Sequence, residues 1–568
     1  MKKKLVFVVF FLATLTLVRG IYAGSAASSI SVDIEHKIVF SIPVEDKGIH
    51  YASDGPHMLI WGPPAITIAP DGTFWIADTA DNHLLHFDLN GVLLDKINIG
   101  DFTVGVGDIE VTSKAIWVLD MASIPPKVLQ LSLKGEVQER YELPEGLFPE
   151  DGLTGIVLGS DGSVLIEQED GIAVTQLISP DGVREQKALA GYIFPDGIYS
   201  SHPAPLVSDD PSHRYIQAGS KRIGIEFATE LGGVRILDSD SDGNLWVVVE
   251  EVIFNPSVQV DKKIYYYDAF GNLEGMARIP LAEMYTPVAH GIAVGPGGNV
   301  YALITKPDKA EIWRLTFSAR LSPILIPSDS KEEVEQPTVE SSLQLFCRTR
   351  ASMINVAIDY QNNSSYLNSY HVNDPNNECQ QRTKPHYLGN PGYYSSVPYA
   401  WGMRDTITQF NNFMNGGNNG FFAGDITEPN SGCGRGIDCS GLVNNAWDLG
   451  DHFGTCSLET ISTKLSSTDK LKRGDIMNRC SITPRHTLIF DIFNSDKTAM
   501  FGYEATTYLN YDRVVRLYRT FSSIYDYLPR RYNNVCSDVF LPHMMKNIAP
   551  RSLIGQPTNP YPPPNPYP

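Results

Sequence analysis

Residues 435–443 read Arg-Gly-Ile-Asp-Cys-Ser-Gly-Leu-Val, and 47 positions after Cys439 comes His486, within Arg-His-Thr-Leu-Ile-Phe at 485–490. A cysteine and a histidine in these settings are the parts of a nucleophile and its base. The thiolate is the reactive form, and a helix N-terminus beside an imidazole lowers a thiol pKa towards neutrality. The elements that must position the pair are legible nearby. Glycines before Cys439 allow a tight turn, and Ser440 to Trp447 carries apolar residues at helical spacing, which predicts a helix opening at Cys439. His486 heads an apolar run that reads as a buried strand, so its side chain is expected to face the helix end. The competing reading is a structural cysteine and an unrelated core histidine.

Three further segments accompany Asp438-Cys439-Ser440-Gly441: Val397-Pro398-Tyr399-Ala400-Trp401-Gly402 before it, Leu471-Lys472-Arg473-Gly474-Asp475-Ile476 after it, and then His486. In this order they resemble the motifs of the NlpC-type cell-wall peptidases, a papain-like family, over residues 385–530. The resemblance implies an α+β papain-like cysteine peptidase domain, placed at 344–548, with Cys439 as nucleophile and His486 as base. It implies that the Tyr399 hydroxyl and the Cys439 amide face the oxyanion, and that Asp438 and Ser440 contact the free amino end of the substrate. For Asp438 a structural hydrogen bond is the alternative. The family's third polar residue is usually His, Asn or Gln. Here Glu504 falls at that place, a departure that is chemically sound because a carboxylate can hold the ring proton and stabilise an imidazolium; Asp491 and Asn494 are the alternatives. The substrates implied are peptidoglycan stem peptides, cut most often between D-glutamate and the diamino acid, with no cofactor and no metal. Two other functions are carried: a catalytically inactive secreted binding protein, or a thiol-dependent amidase or acyltransferase acting on something other than cell wall.

The chain has seven cysteines, none in its first 346 residues. Six can pair and one is left over, as a disulfide-stapled domain with one working thiol requires. With Cys439 free, the pairing pool is Cys347, Cys379, Cys433, Cys456, Cys480 and Cys536, and spacing does not choose among the pairings. A zinc site would need a close Cys/His cluster, which is absent from the sequence. Disulfides imply an oxidising compartment. Residues 1–27 read as a bacterial secretory signal peptide: Met1-Lys2-Lys3-Lys4, an apolar run from Leu5 to Val18, then small residues. The expected location is secreted or periplasmic. The apolar run is short for a spanning helix, so stable membrane insertion is not expected.

Residues 28–320 have a different texture, with short apolar strands separated by Asp-Gly or Gly-Gly turns. Ile66 to Asp78 runs strand, Asp71-Gly72 turn, strand, and the pattern returns at 115–131, 160–166, 214–227, 242–248 and 297–303. A period of about 40 to 55 residues is the size of a four-stranded blade. The pattern resembles the NHL-type β-propellers, whose name-giving tripeptide stands at Asn82-His83-Leu84. The fold class is therefore multidomain: an all-β propeller of about six blades, closed by a strand within Ser31 to Ile42 beside Glu311 to Leu315, followed by the peptidase domain. The propeller is expected to present loops to a ligand that the sequence does not identify. Asp238 to Asn244 has the opening half of a calcium loop, but Val249 stands where that motif needs Glu, so an ordinary solvated turn is expected. Residues 321–343 form a polar, proline-punctuated linker, and 549–568 a proline-rich extended tail. Asn411 to Gly420, rich in Asn and Gly, is expected to belong to a long insertion that shapes the cleft. A net charge of −20 argues against nucleic acid as a partner.

Overall fold

A computed structural model describes residues 36–321 and 347–536, except 45–47, 53–58, 196, 201–213, 255–256, 380–381, 418, 428–431 and 482–483. The expected signal peptide, most of the linker and the proline-rich tail lie outside the described residues.

The first part is a β-propeller region of six four-stranded antiparallel sheets. Five are continuous in sequence, spanning 65–98, 106–142, 153–189, 192–225 and 230–279. The sixth is completed from the other end of the region. Lys37–Pro43 pairs antiparallel with Lys309–Arg314, on the outer side of Asn299–Lys306 and Ile292–Gly295. The Asp-Gly turns of the sequence are the hairpins of these sheets. Gly72 takes φ +89°, a left-handed value open to glycine, while Asp71 Oδ1 accepts from the Thr73 amide at 3.0 Å. The inner strands pack between neighbouring sheets and are buried on both faces, as Phe74–Asp78 is at every position, whereas outer strands such as Arg184–Leu189 are largely exposed.

The second part carries helices Arg350–Asn362, Ser369–Asn373, Ile407–Asn415 and Cys439–Trp447, together with a six-stranded sheet. The strand order is Ser462–Lys464, Leu528–Tyr532, Ile476–Arg479, His486–Phe493, Ala499–Thr506, Arg513–Thr520. Asn411 to Asn415, within the expected insertion, is helical. Thr406 and Gln409 form a reciprocal capping box, and Phe410 and Met414 bury the inner face. Three disulfides staple this part: Cys347–Cys536, Cys379–Cys433 and Cys456–Cys480, leaving Cys439 free.

The sheet is covered on both sides. On one, Ile476, Ile489, Tyr503, Ala505 and Val514 pack against Leu442, Val443, Ala446 and Trp447 of the Cys439 helix. On the other, the alternate residues Met477, Leu488, Phe490 and Met500 meet Val252, Val258 and Val260 of a long propeller hairpin. Val515 and Leu517 extend that side against Trp117, Leu119 and Met121. Backbone pairing continues across the junction, with Val258 N–H donating to Tyr527 O at 3.0 Å and Asp526 N–H to Val258 O at 2.9 Å. Arg513 Nη1 donates to Ala122 O at 3.1 Å and Asn510 Nδ2 to Val104 O at 2.8 Å. The second part thus caps one end of the propeller channel, where Tyr508, Leu509, Tyr511 and residues 517–520 line a cavity of about 150 Å³ together with inner propeller strands. Among the described residues no helix is long and apolar enough to cross a membrane.

Ile42, on the closing strand, is 1% exposed. Ile42→Ala is expected to destabilise the chain by about 2–5 kcal/mol, read as a lowered thermal unfolding midpoint; an unchanged midpoint would show that this strand does not hold the ring.

Candidate functional site

The Cys439–Trp447 helix begins as the sequence predicts, and Asp438 is the reason. Its side chain caps the first turn, with Oδ1 accepting from Gly441 N–H at 2.6 Å and from the Ser440 hydroxyl at 2.9 Å. Its other oxygen accepts from Gly402 N–H at 2.9 Å, tying the helix start to the Tyr399-Ala400-Trp401-Gly402 segment. Asp438 and Ser440 are both buried, so each is committed to the turn that presents Cys439.

Tyr399 reaches the same place along a different path. Its N–H donates to Asp512 O at 2.7 Å, its carbonyl accepts from Asp425 N–H at 3.0 Å, and the residue bridges in parallel to Ile437. Its ring is buried, and burial holds the phenol well above its ordinary pKa, with the Cys439 and Asp438 charges acting in the same direction. Tyr399 is therefore a neutral hydroxyl near enough to Cys439 to feel its charge.

Cys439 as a residue is half-buried. Its sulfur lies 3.9 Å from the Thr455 hydroxyl and within hydrogen-bonding range of the Thr487 backbone, the residue after His486. The loop carrying Thr455 is fixed from both ends. Asn444 on the helix donates to Phe453 O at 2.7 Å, Asn478 donates to Thr455 O at 3.2 Å, and the Cys456–Cys480 bridge follows. The sequence predicts a thiol acidified by the helix terminus and the imidazole. The structure reverses that: burial first, then the Asp438 charge, pushes the Cys439 thiol up to about 12, against the lowering effects of Thr487, Thr455 and Ser440. The resting group is a neutral thiol.

His486 heads the strand His486–Phe493, and its Nε2–H donates to Glu504 Oε2 at 2.9 Å. Glu504 is wholly buried on the adjacent strand Ala499–Thr506. Arg519, which the sequence analysis missed, clamps it from Arg513–Thr520, with Nε to Oε1 and Nη2 to Oε2 both at 2.7 Å. Burial raises the Glu504 pKa, but Arg519 and His486 outweigh it and hold the carboxyl down to about 2. A folded pKa below the unfolded one means that this pairing stabilises the fold fully above the ordinary carboxylate range. That stability is lost as pH falls towards 2. Asp491 and Asn494, the other candidates for orienting the base, are engaged elsewhere: Asp491 accepts from Arg473 and Arg516, each at 2.8 Å, and Asn494 holds the turn to Thr498 and Ala499.

The two halves of the site belong to different sides of the sheet. Ile489, and with it Thr487 by alternation, faces the Cys439 helix, whereas Leu488 and Phe490 face the propeller. His486, two residues before Leu488, belongs to the propeller-side row together with Glu504 and Arg519. The structure thus corrects the expectation that the His486 side chain faces the helix end: the ring meets Glu504 and Tyr527, while the sulfur meets the Thr487 backbone and the Thr455 hydroxyl. Tyr527 stands between the two regions. Its ring lies 6.3 Å from that of His486, and the Cys439 charge contributes to raising its phenol pKa.

Two other candidate clusters are filled by their own neighbours. In the Asp238–Asn244 turn, Asp240 Oδ1 accepts from the amides of Asp242 and Asn244 at 3.0 and 2.9 Å. His50, Asp78 and Asp81 bring metal-ligating atoms together, and Lys96 Nζ sits 2.7 Å from Asp81.

No protein-family model and no curated protein matches this chain. Among solved structures it is similar to a streptogramin B lyase (18% identity, 49% of this chain and 97% of that one, TM-score 0.29). It is also similar to a catalytically inactive virginiamycin B lyase from Staphylococcus aureus (14%, 50% and 100%, TM-score 0.30), and to a gluconolactonase from Xanthomonas campestris (11%, 50% and 96%, TM-score 0.27). Each involves about half of this chain; the propeller assignment above stands on the six sheets and their closure.

Alkylation without reductant is expected to modify Cys439 alone, at a rate that keeps rising with pH to the alkaline limit of the fold, because the thiolate is scarce below about 12. Peptide mass spectrometry across a pH series checks both points. A rate that levels off near neutrality would mean an acidified thiol.

Proposed function

We propose that this chain is a secreted cysteine peptidase that cleaves peptidoglycan stem peptides, with residues 28–320 as propeller and 344–548 as a papain-like peptidase domain. The single observation that carries the reading is the free Cys439 thiol on a capped helix terminus, against the strand whose first residue, His486, is held by a buried carboxylate. The four ordered motifs point to the wall-peptidase family. The three disulfides fit an oxidising compartment.

In the mechanism, Cys439 Sγ attacks the peptide carbonyl while His486 Nδ1 takes the thiol proton. The Nε2–H bond to Glu504 fixes the tautomer and stabilises the imidazolium. The tetrahedral oxyanion accepts from the Cys439 N–H and the Tyr399 hydroxyl. Collapse expels the amine with the proton from His486, and water then hydrolyses the thioester, with His486 as base again. Because the thiol starts neutral, proton removal accompanies attack instead of preceding it as a stored ion pair. The propeller channel is capped at one end by the peptidase part, so recognition through propeller loops falls to the opposite end.

The thiol pushed up to about 12 favours one second reading, a secreted binding protein led by its propeller in which the cysteine no longer reacts. A labelled muropeptide panel analysed by mass spectrometry separates the two. Endopeptidase activity releases a new amino terminus, and Cys439→Ala is expected to reduce it by at least about a thousandfold. Wall fragments bound by the native chain but never cut would support the binding protein, and products lacking a new amino terminus would support an acyltransferase.

A further inference from the structure

Arg519 has no counterpart in the motifs that located the site, yet it is the group on which the orientation of the base depends. Glu504 has two oxygens. Oε2 is shared between His486 Nε2 at 2.9 Å and Arg519 Nη2 at 2.7 Å, and Oε1 is bound by Arg519 Nε at 2.7 Å. A carboxylate gripped at both oxygens by a planar fork cannot rotate without breaking two charge-assisted bonds. It therefore presents one fixed lone pair to the imidazole. Arg519 is in turn held from the propeller side. Its guanidinium lies 5.0 Å from the Tyr508 ring centroid, and the Tyr508 ring meets Trp61 of the propeller edge-on at 6.2 Å. Arg519 and Tyr508 both line the cavity that the two parts enclose.

Resting on the peptidase reading, we propose that Arg519 is a positioning residue for the catalytic base: it locks Glu504 against His486 Nε2, and the docked propeller, through Trp61 and Tyr508, holds Arg519 in that geometry. The propeller is then part of the catalytic machinery and not an appended binding unit. The proposal assigns the two imidazole nitrogens opposite tasks. Nε2 is reserved for Glu504, which leaves Nδ1 to receive the thiol proton. It also explains how a carboxylate is tolerated where the resembling family has a neutral residue: an unpaired buried carboxylate would take up a proton and lose its hold on the ring. The groups facing Glu504 are His486, Arg519 and, beyond them, Tyr508 and Tyr527. Arg519 is the permanent cation among them.

The test uses the full chain and two variants, Arg519→Gln and Arg519→Lys, each checked for native folding by its thermal melt. Two readouts are taken from pH 4 to pH 9: kcat and KM on a labelled stem peptide, and the rate at which iodoacetamide alkylates Cys439. In the native chain Glu504 stays ionised across this range. In Arg519→Gln it protonates within the range, so an acid limb is expected, with kcat at pH 5 lower than at pH 7 by at least tenfold more than in the native chain. KM should stay within about twofold. Arg519→Lys, which keeps the charge but not the fork, is expected to recover part of kcat and to shift the acid limb back. Folded Arg519→Gln with the acid limb and alkylation profile of the native chain would overturn the proposal. So would a loss expressed only in KM. Alkylation needs no substrate, so it reports on the clamp even if the native chain cuts no stem peptide. Should neither variant fold, Tyr508→Leu, which removes the propeller-side support and leaves the ion pair, is expected to show a smaller acid limb of the same kind; its absence counts against the proposal equally.

Discussion

The six-stranded sheet of the second part has no free face, and that constraint organises the rest of the molecule. A sheet covered by one helix layer would expose its opposite side to solvent and show an alternation of apolar and polar residues. Here Ala499–Thr506 is buried at all eight positions, because the propeller supplies the second layer. Leu488 and Phe490 meet Val252, Val258 and Val260 as fully as Ile489 meets the helix. Burial of apolar surface on both sides drives the association, and the backbone bonds between Val258 and residues 526–527 fix its register. The two parts are cooperating layers of one architecture in this region.

Placing charged groups inside that sandwich has a cost that must be offset locally. His486, Glu504 and Arg519 occupy the propeller-side row, where solvent is excluded. A lone carboxylate there would be strongly disfavoured, and the bidentate guanidinium is what keeps it ionised. Arg519 in turn needs its carboxylate and the Tyr508 ring. The row is therefore self-consistent as a set. The same exclusion of water explains the thiol. It lies at the end of the sheet with Asp438 behind it, and burial acts on it with no permanent cation among its immediate partners.

Much of this was legible in the chain. The Asp-Gly and Gly-Gly hairpins gave the propeller blades because those turns demand residues that tolerate a left-handed backbone. The split last blade was readable from an apolar strand at the start of the region with no partner of its own. The helix at Cys439 followed from Asp438 as cap and from apolar spacing after it, and the odd cysteine from counting. What escaped was long-range. The run from Asn411 to Gly420 was read from its composition only as part of an insertion, although the Thr406 and Gln409 box that starts a helix there was present in the sequence. Arg519 carried a weak signal: along Arg513–Thr520 the inward row reads Arg513, Val515, Leu517, Arg519, and an arginine at a buried position of an apolar strand needs acceptors, carbonyls for Arg513 and the Glu504 carboxylate for Arg519. The acidification expected for Cys439 failed because local sequence shows the helix end but not the depth of burial.

That failure bears on how the site would act. A thiol already ionised needs a base only for the later proton delivery, and its partner can be a loosely held imidazolium. A thiol pushed up to about 12 is almost wholly protonated at neutral pH, so in the proposed peptidase attack would depend on the base at its first step. The ring must then be in the right tautomer, with Nε2 protonated and Nδ1 vacant, at the moment the carbonyl arrives. A neutral orienting residue satisfies the first condition without stabilising the imidazolium that forms; a clamped carboxylate does both. Under the proposed reading, glutamate where the resembling family has a neutral group, arginine behind it and a high thiol pKa would form a consistent set: the less acidic the nucleophile, the more the base must be held in place and the more its charged form must be stabilised.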